Sequence, residues 1–179
     1  EVIGCDVSEA KVDLINAGQS PIIEKDIGEL VAAKVASGSL RATVSTEEAI
    51  MNSDLSLLCV GTPSRANGSL DLSAVEAVAR QIGAVLASKN SYHSVVIRST
   101  VLPGTLADIA VPALEQASGK KPGVAFGVAS NPEFMREGSA VADFNNPAKT
   151  VIGTDDEVTR TRLLELYAGL PGQTILTEP

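Results

Sequence analysis

The feature that most constrains this chain is an alternation. Short apolar runs take turns with segments of helical periodicity along its whole length. "EVIGCDV", "RATVS", "DLSLLCVGTP", "SVVIRST", "GVAFGVASNP", "KTVIGT" and "QTILT" read as strands. "SEAKVDLINAG", "IGELVAAKVASG", "TEEAIMNS", "DLSAVEAVARQIGAVLAS", "LPGTLADIAVPALEQAS" and "DDEVTRTRLLELYAGL" read as helices. In the longest of them Val75, Val78, Ile82 and Leu86 recur at helical spacing and fall on one face. Strands that are apolar throughout are buried on both sides, which is the condition of a parallel sheet with helices on both faces. The expected architecture is therefore α/β, a doubly wound parallel sheet. Local signals mark the helix ends: Ser8 and Thr46 as caps, Gly18 and Gly38 as stops, and Pro112 as a bend or break. "SRANGSLD" and "ASGKKPG" read as polar loops.

Composition narrows the function. Fourteen Lys and Arg against 22 Asp and Glu leave a net charge of −8. A protein that grips duplex nucleic acid carries a basic footprint, so a nucleic-acid partner is not expected. The charge does not forbid a phosphate-bearing small molecule, which backbone N–H groups and one or two Arg can hold locally. Aromatics are 3% and Trp is absent, so the core must be aliphatic. Cys5 and Cys59 each lie inside an apolar run and read as small buried hydrophobes. No ligand spacing for zinc occurs, and no metal is expected. The single histidine, His93, reads as a solvated loop residue just before a strand. No apolar run is long enough to span a bilayer and no signal peptide opens the sequence, so a cytoplasmic location without a membrane partner is expected.

In a doubly wound sheet, ligands bind beyond the carboxyl ends of the strands. The residues that follow the predicted strands here are small, hydroxylic or acidic. Asp6 and then Lys11 follow the first. Gly61, Thr62, Pro63 and Ser64 follow the third, Ser99 and Thr100 the fourth, and Asn131, Pro132 and Glu133 the fifth. An acid at a strand end can accept the hydroxyls of an adenine ribose. The stretch "SNPEFMREGS" reads as a helix start, with Asn131 as cap and Pro132 in the first turn. That reading places Glu133 and Glu137 on one face, four residues apart. A second carboxylate nearby and partial burial both raise a carboxyl pKa, which suits a general base.

The segments "DVSEAKVDLINAGQSPI", "LCVGTPSRANGSLDLS", "VVIRSTVLPGT" and "SNPEFMREGSAVADFNNPAKTVIG" resemble, in order and spacing, the nucleotide-sugar 6-dehydrogenases. That is the family of UDP-glucose and GDP-mannose 6-dehydrogenases, and the resemblance runs along nearly the whole chain. "STVLPGT" with "SGKKPGVAFGV" looks closer to the GDP-mannose branch, while "REGSAVADF" is common in the UDP-glucose branch as well. The resemblance implies a Rossmann-like fold, NAD as cofactor, and oxidation of a sugar C6 alcohol to a carboxylate through a thioester on a cysteine. It implies that Asp6 holds the adenine ribose with Lys11 beside it. Val60, Gly61, Thr62, Pro63 and Ser64 would pass along the cofactor with Thr62 in contact, Ser99 would also bind it, and Thr100 would lie near the nicotinamide. Thr100 would help orient a water. Glu133 would act as acid or base on the water that opens the thioester. Glu133, Phe134, Met135, Arg136 and Glu137 would line the substrate pocket, and Glu137 would also border the cofactor. Which of the two glutamates handles the proton stays open.

Some family parts are not in this sequence: the glycine-rich loop, the first strand, the nucleophilic cysteine and the nucleotide-binding half. Residues 1–179 are thus expected to be a truncated N-terminal NAD-binding domain, without the C-terminal substrate domain. The partner expected for the full-length enzyme is a nucleotide sugar, GDP-mannose or UDP-glucose, and its expected state is a homo-oligomer. A non-catalytic nucleotide-binding module is the alternative from another class. Losing a central strand would leave two unpaired edges facing each other.

Overall fold

The structure, a computed structural model, describes residues 1–178. The predicted alternation is present. The elements are β1 (Val2–Cys5), α1 (Glu9–Asn16), α2 (Ile27–Ala36), β2 (Leu40–Thr43), α3 (Thr46–Met51), β3 (Leu55–Leu58) and α4 (Ser73–Leu86). They continue with β4 (His93–Ile97), a π-helical turn (Leu106–Ala110), α5 (Val111–Ser118), β5 (Phe126–Ser130), α6 (Ala140–Asn145), β6 (Lys149–Gly153), α7 (Glu157–Leu166) and β7 (Gln173–Thr177). The expected break at Pro112 takes a definite form. Pro112 cannot donate to the preceding turn, and the chain widens into the π-helical turn just before it.

The strands form two sheets, β1-β2 and β3-β4-β5-β6-β7. In doubly wound order a further strand lies between β1 and β3, and none of the described strands occupies that place. The open edges of β1 and β3 are the result. They correct the reading of the two cysteines. Cys5 ends β1, Cys59 follows β3, and both are exposed rather than buried.

The larger sheet is mixed rather than wholly parallel. β3, β4 and β5 pair in parallel, but β6 meets β5 antiparallel and only at Ser130↔Gly153, and β7 then pairs with β6 in parallel. Because the two ends meet, β6 overhangs the carboxyl end of β5. Its first residues, Lys149 and Thr150, therefore flank the loop that follows β5.

All five residues of β4 are buried, and they serve both faces. Val95 joins Ile82, Leu86, Leu114 and Phe126 under α4 and α5, while Val96 joins Ala129, Ile152, Leu163 and Tyr167 under α7. His93 belongs to this core and is fully buried, which corrects the expectation of a solvated loop residue. Two caps are also corrected. The hydroxyl of Ser45, not Thr46, accepts the Glu48 N–H at the start of α3, and Ser8 makes no side-chain cap at all.

Candidate functional site

The site is built from the loops beyond the carboxyl ends of β1, β3, β4 and β5. At β1, the Asp6 carboxylate accepts the backbone N–H of Ser8 on Oδ1 at 2.9 Å and Lys11 Nζ on Oδ2 at 3.1 Å. The Ser8 N–H, and then Lys11, hold the Asp6 carboxyl below the usual carboxylate range. Both side chains reach solvent, so the carboxylate keeps free lone pairs for further donors.

Beyond β3 and β4, two segments lie side by side. Ser99 Oγ donates to the Val60 carbonyl at 2.6 Å, and the Ser99 N–H donates to the Leu58 carbonyl at 3.1 Å. Thr62 Oγ1 donates to the Thr100 carbonyl at 2.8 Å. These bonds hold Val60, Gly61 and Thr62 against Ser99 and Thr100, while Pro63 and Ser64 lead into an exposed loop.

The loop after β5 departs from expectation. Residues 131–136 form no helix, a turn follows at 137–138, and α6 begins only at Ala140. Asn131 is completely buried and is not a helix cap. Its Nδ2 donates to the Val151 carbonyl at 2.7 Å, and its Oδ1 accepts from Arg98 Nη1 at 2.8 Å and from the Tyr167 hydroxyl at 2.6 Å. With its amide engaged by β6, β4 and the end of α7, Asn131 has nothing left to start a helix with. Glu133 and Glu137 consequently do not share a helical face. Glu133 is partly buried and turns back to accept the Met135 N–H at 2.6 Å; Glu137 is exposed in the turn.

The remaining residues of this stretch divide. Arg136 is tied to Asp143 by its backbone N–H and by its guanidinium, which holds the Asp143 carboxyl well below the usual range. Phe134 is half exposed, with Lys149 Nζ 4.9 Å from its ring centroid. A small cleft is lined by Arg98, Glu133, Phe134, Met135, Thr150 and Tyr167.

The predicted residues thus follow the carboxyl ends of strands in both sheets: Asp6 and Lys11 after β1, Val60 to Ser64 after β3, Ser99 and Thr100 after β4, Glu133 to Glu137 after β5. Arg98, Lys149, Thr150 and Tyr167, which also line the cleft, were missed. Arg98 carried a signal, being the only charge in "SVVIRST". The others carried none that a local pattern could show. Among the described residues, no group of three or more His, Cys, Asp or Glu side chains could hold a metal, and no helix is long and apolar enough to cross a membrane.

The order of strands and helices, with polar residues after the parallel strands, is that of a Rossmann-type domain such as the dehydrogenase structures on which it superposes. The family described as UDP-glucose/GDP-mannose dehydrogenase, NAD binding domain, matches residues 1–171, and the chain belongs to it. GDP-mannose 6-dehydrogenase of Azotobacter vinelandii is 53% identical over 170 residues, 95% of this chain and 39% of that protein. UDP-glucose 6-dehydrogenase of Haloferax volcanii is 42% identical over 170 residues, with the same coverage of 95% and 39%. The crystal structure of a ternary complex of GDP-mannose dehydrogenase from Pseudomonas aeruginosa superposes with a TM-score of 0.97 at 47% identity. The match covers 99% of this chain and 41% of that one. The chain therefore spans about two fifths of the length of these relatives.

Proposed function

We propose that the full-length protein carrying this chain oxidises the C6 alcohol of GDP-mannose to a carboxylate with NAD, and that residues 1–179 supply the cofactor half. GDP-mannose is preferred to UDP-glucose because the GDP-mannose relative is more similar, 53% against 42% identical over equal lengths. The carrying observation is that the laced 60–62 and 99–100 segments and the Glu133 loop follow the carboxyl ends of the adjacent parallel strands β3, β4 and β5, as the Asp6 carboxylate follows that of β1.

The donor set fits a dinucleotide at both ends. Asp6 retains acceptor capacity for ribose hydroxyls, with Lys11 fixing the carboxylate. Thr62, Ser99 and Thr100 present hydroxyls and backbone groups where the nicotinamide end would lie. NAD supplies the hydride acceptor when bound. The protein's own part is to orient and to move protons. Glu133 is the residue placed to take a proton from the attacking water in the hydrolytic step, and Thr100 to orient that water. Phe134, Met135, Arg136 and Glu137 border the sugar side. We assign the nucleophile and the recognition of the base to parts of the protein outside this chain. The same reading places the enzyme in the cytoplasm as a homo-oligomer.

The test is NADH formation by the full-length protein with each nucleotide sugar. Two NADH per GDP-mannose consumed, with UDP-glucose turned over far more slowly, is the expected result. No NADH from GDP-mannose overturns the proposal.

A further inference from the structure

One carboxylate outside the site reaches into it. Glu24 lies in the connection between α1 and α2, in the N-terminal segment that also carries Asp6. Its Oε2 accepts the Gly138 N–H at 2.8 Å and its Oε1 accepts the Ala140 N–H at 3.2 Å. Oε1 also takes the N–H of its neighbour Lys25 at 3.2 Å. No cationic side chain pairs with it among the described residues, so this carboxylate is given over to backbone donors.

These bonds are long in sequence, 114 and 116 positions. Among the described residues, no other hydrogen bond joins residues 1–43 to those beyond 53. The β1-β2 unit and the five-stranded sheet share no strand pairing. Glu24 is thus the polar tie between the half that bears Asp6 and the loop that bears Glu133. The receiving end is shaped for it. Gly138 has φ +82°, a conformation that a side chain would strain, and it turns its N–H toward the carboxylate.

We infer that Glu24 is a positioning residue: by gripping Gly138 and Ala140 it fixes the 133–138 loop, and with it Glu133, relative to the cofactor held at Asp6. The inference rests on the proposed function. Misplacing a reacting group by an ångström can cost on the order of a hundredfold in rate. The loop keeps its other anchors at Asn131 and at Arg136–Asp143, so a smaller loss is expected.

The experiment compares wild type, E24A and E24Q in the full-length protein. In E24A kcat should fall by about tenfold, as expected of a loosened catalytic loop. KM for NAD should stay within about twofold, since Asp6 and Lys11 are untouched. E24Q keeps one acceptor oxygen and should recover part of kcat. Hydrogen exchange at the Gly138 and Ala140 amides should speed up in E24A, with Asn146 unchanged. An unaltered kcat, or a fall that follows loss of folded protein and is no smaller in E24Q, overturns the inference. If wild type turns over no nucleotide sugar, the proposed function is what has failed. Exchange then decides the tie by itself, and unchanged protection at residues 138 and 140 refutes it.

Discussion

Asn131 uses three of the four hydrogen-bonding capacities of its side chain on three different elements. Its partners lie 20 to 36 positions away, so nothing in "SNPEF" distinguishes a helix cap from a buried tie. Which residues stand at the strand ends was legible; how the 131–136 loop presents them was not. His93 is a similar case with a measurable consequence. The Ser53 carbonyl can only accept, so Nδ1 carries the proton at 3.1 Å, and Nε2 accepts from the Ser56 hydroxyl at 2.7 Å. The buried ring is held neutral. Burial first, and then the charge of Lys89, depress its pKa to about 4; Arg162 pushes the same way, and the Ser53 carbonyl and Asp54 oppose. The folded value lies below the unfolded one of about 6.5, so protons bind the unfolded chain first. This contribution to stability is complete above about pH 6.5, is lost as the pH falls toward 4, and changes no further below that. At 1.36 kcal/mol per unit it amounts to about 3 kcal/mol at most. Urea midpoints of the full-length protein should decline across this window, and His93→Gln should flatten the decline. An equal slope in the variant would assign it to other groups.

Helix and strand identities were readable because periodicity records burial, and burial is what the elements share. Of the four apolar positions on α4, Ile82 and Leu86 are buried in one core with Val78 packed partly against it, and Val75 is buried in a second with Ile97, Leu106 and Ala110. Strand direction leaves no such record. β6 carries the same β-branched apolar pair, Val151 and Ile152, that a parallel strand would, yet it meets β5 antiparallel after a connection whose only helix is the short α6. Close packing of helices is written in a single residue. A Cβ on Gly83 of α4 would lie 2.8 Å from Ala117 Cβ and 2.9 Å from the Leu114 carbonyl of α5. Gly83→Ala sets two effects against each other. Helix propensity favours Ala by about 1 kcal/mol. Overpacking against backbone typically costs about 1–3 kcal/mol. The carbonyl cannot yield without moving α5, so the upper part of that range applies. Gly83→Ala should destabilise by about 1–2 kcal/mol net, read as a lower urea midpoint. Gly28, whose added Cβ meets nothing within 4 Å, is the control and should be stabilised if it changes at all.

At the scale of the whole molecule, the two sheets present their open edges where a doubly wound fold has its centre. β1 and β3 are each four residues long, and each pairs on one side only. Water satisfies the free N–H and C=O groups, so the gap does not by itself unfold either sheet. Its consequence is association. The β3 edge carries Leu57, 39% exposed, and runs into the exposed Cys59, with no lysine or proline within the strand to blunt it. The net charge of −8 opposes aggregation only diffusely, and salt screens it over roughly 8 Å at physiological ionic strength. Local edge pairing therefore prevails at moderate salt. Residues 1–179 produced by themselves should self-associate and show no dehydrogenase turnover with NAD and either nucleotide sugar. Sedimentation velocity reads the first outcome, and NADH formation the second. Leu57→Lys puts a charge on the open strand and should shift the sedimentation toward monomer, without restoring turnover. A wild-type chain that sediments as a monomer at physiological salt would show that the edges are already protected, and measurable turnover would show that catalysis does not need the rest of the protein.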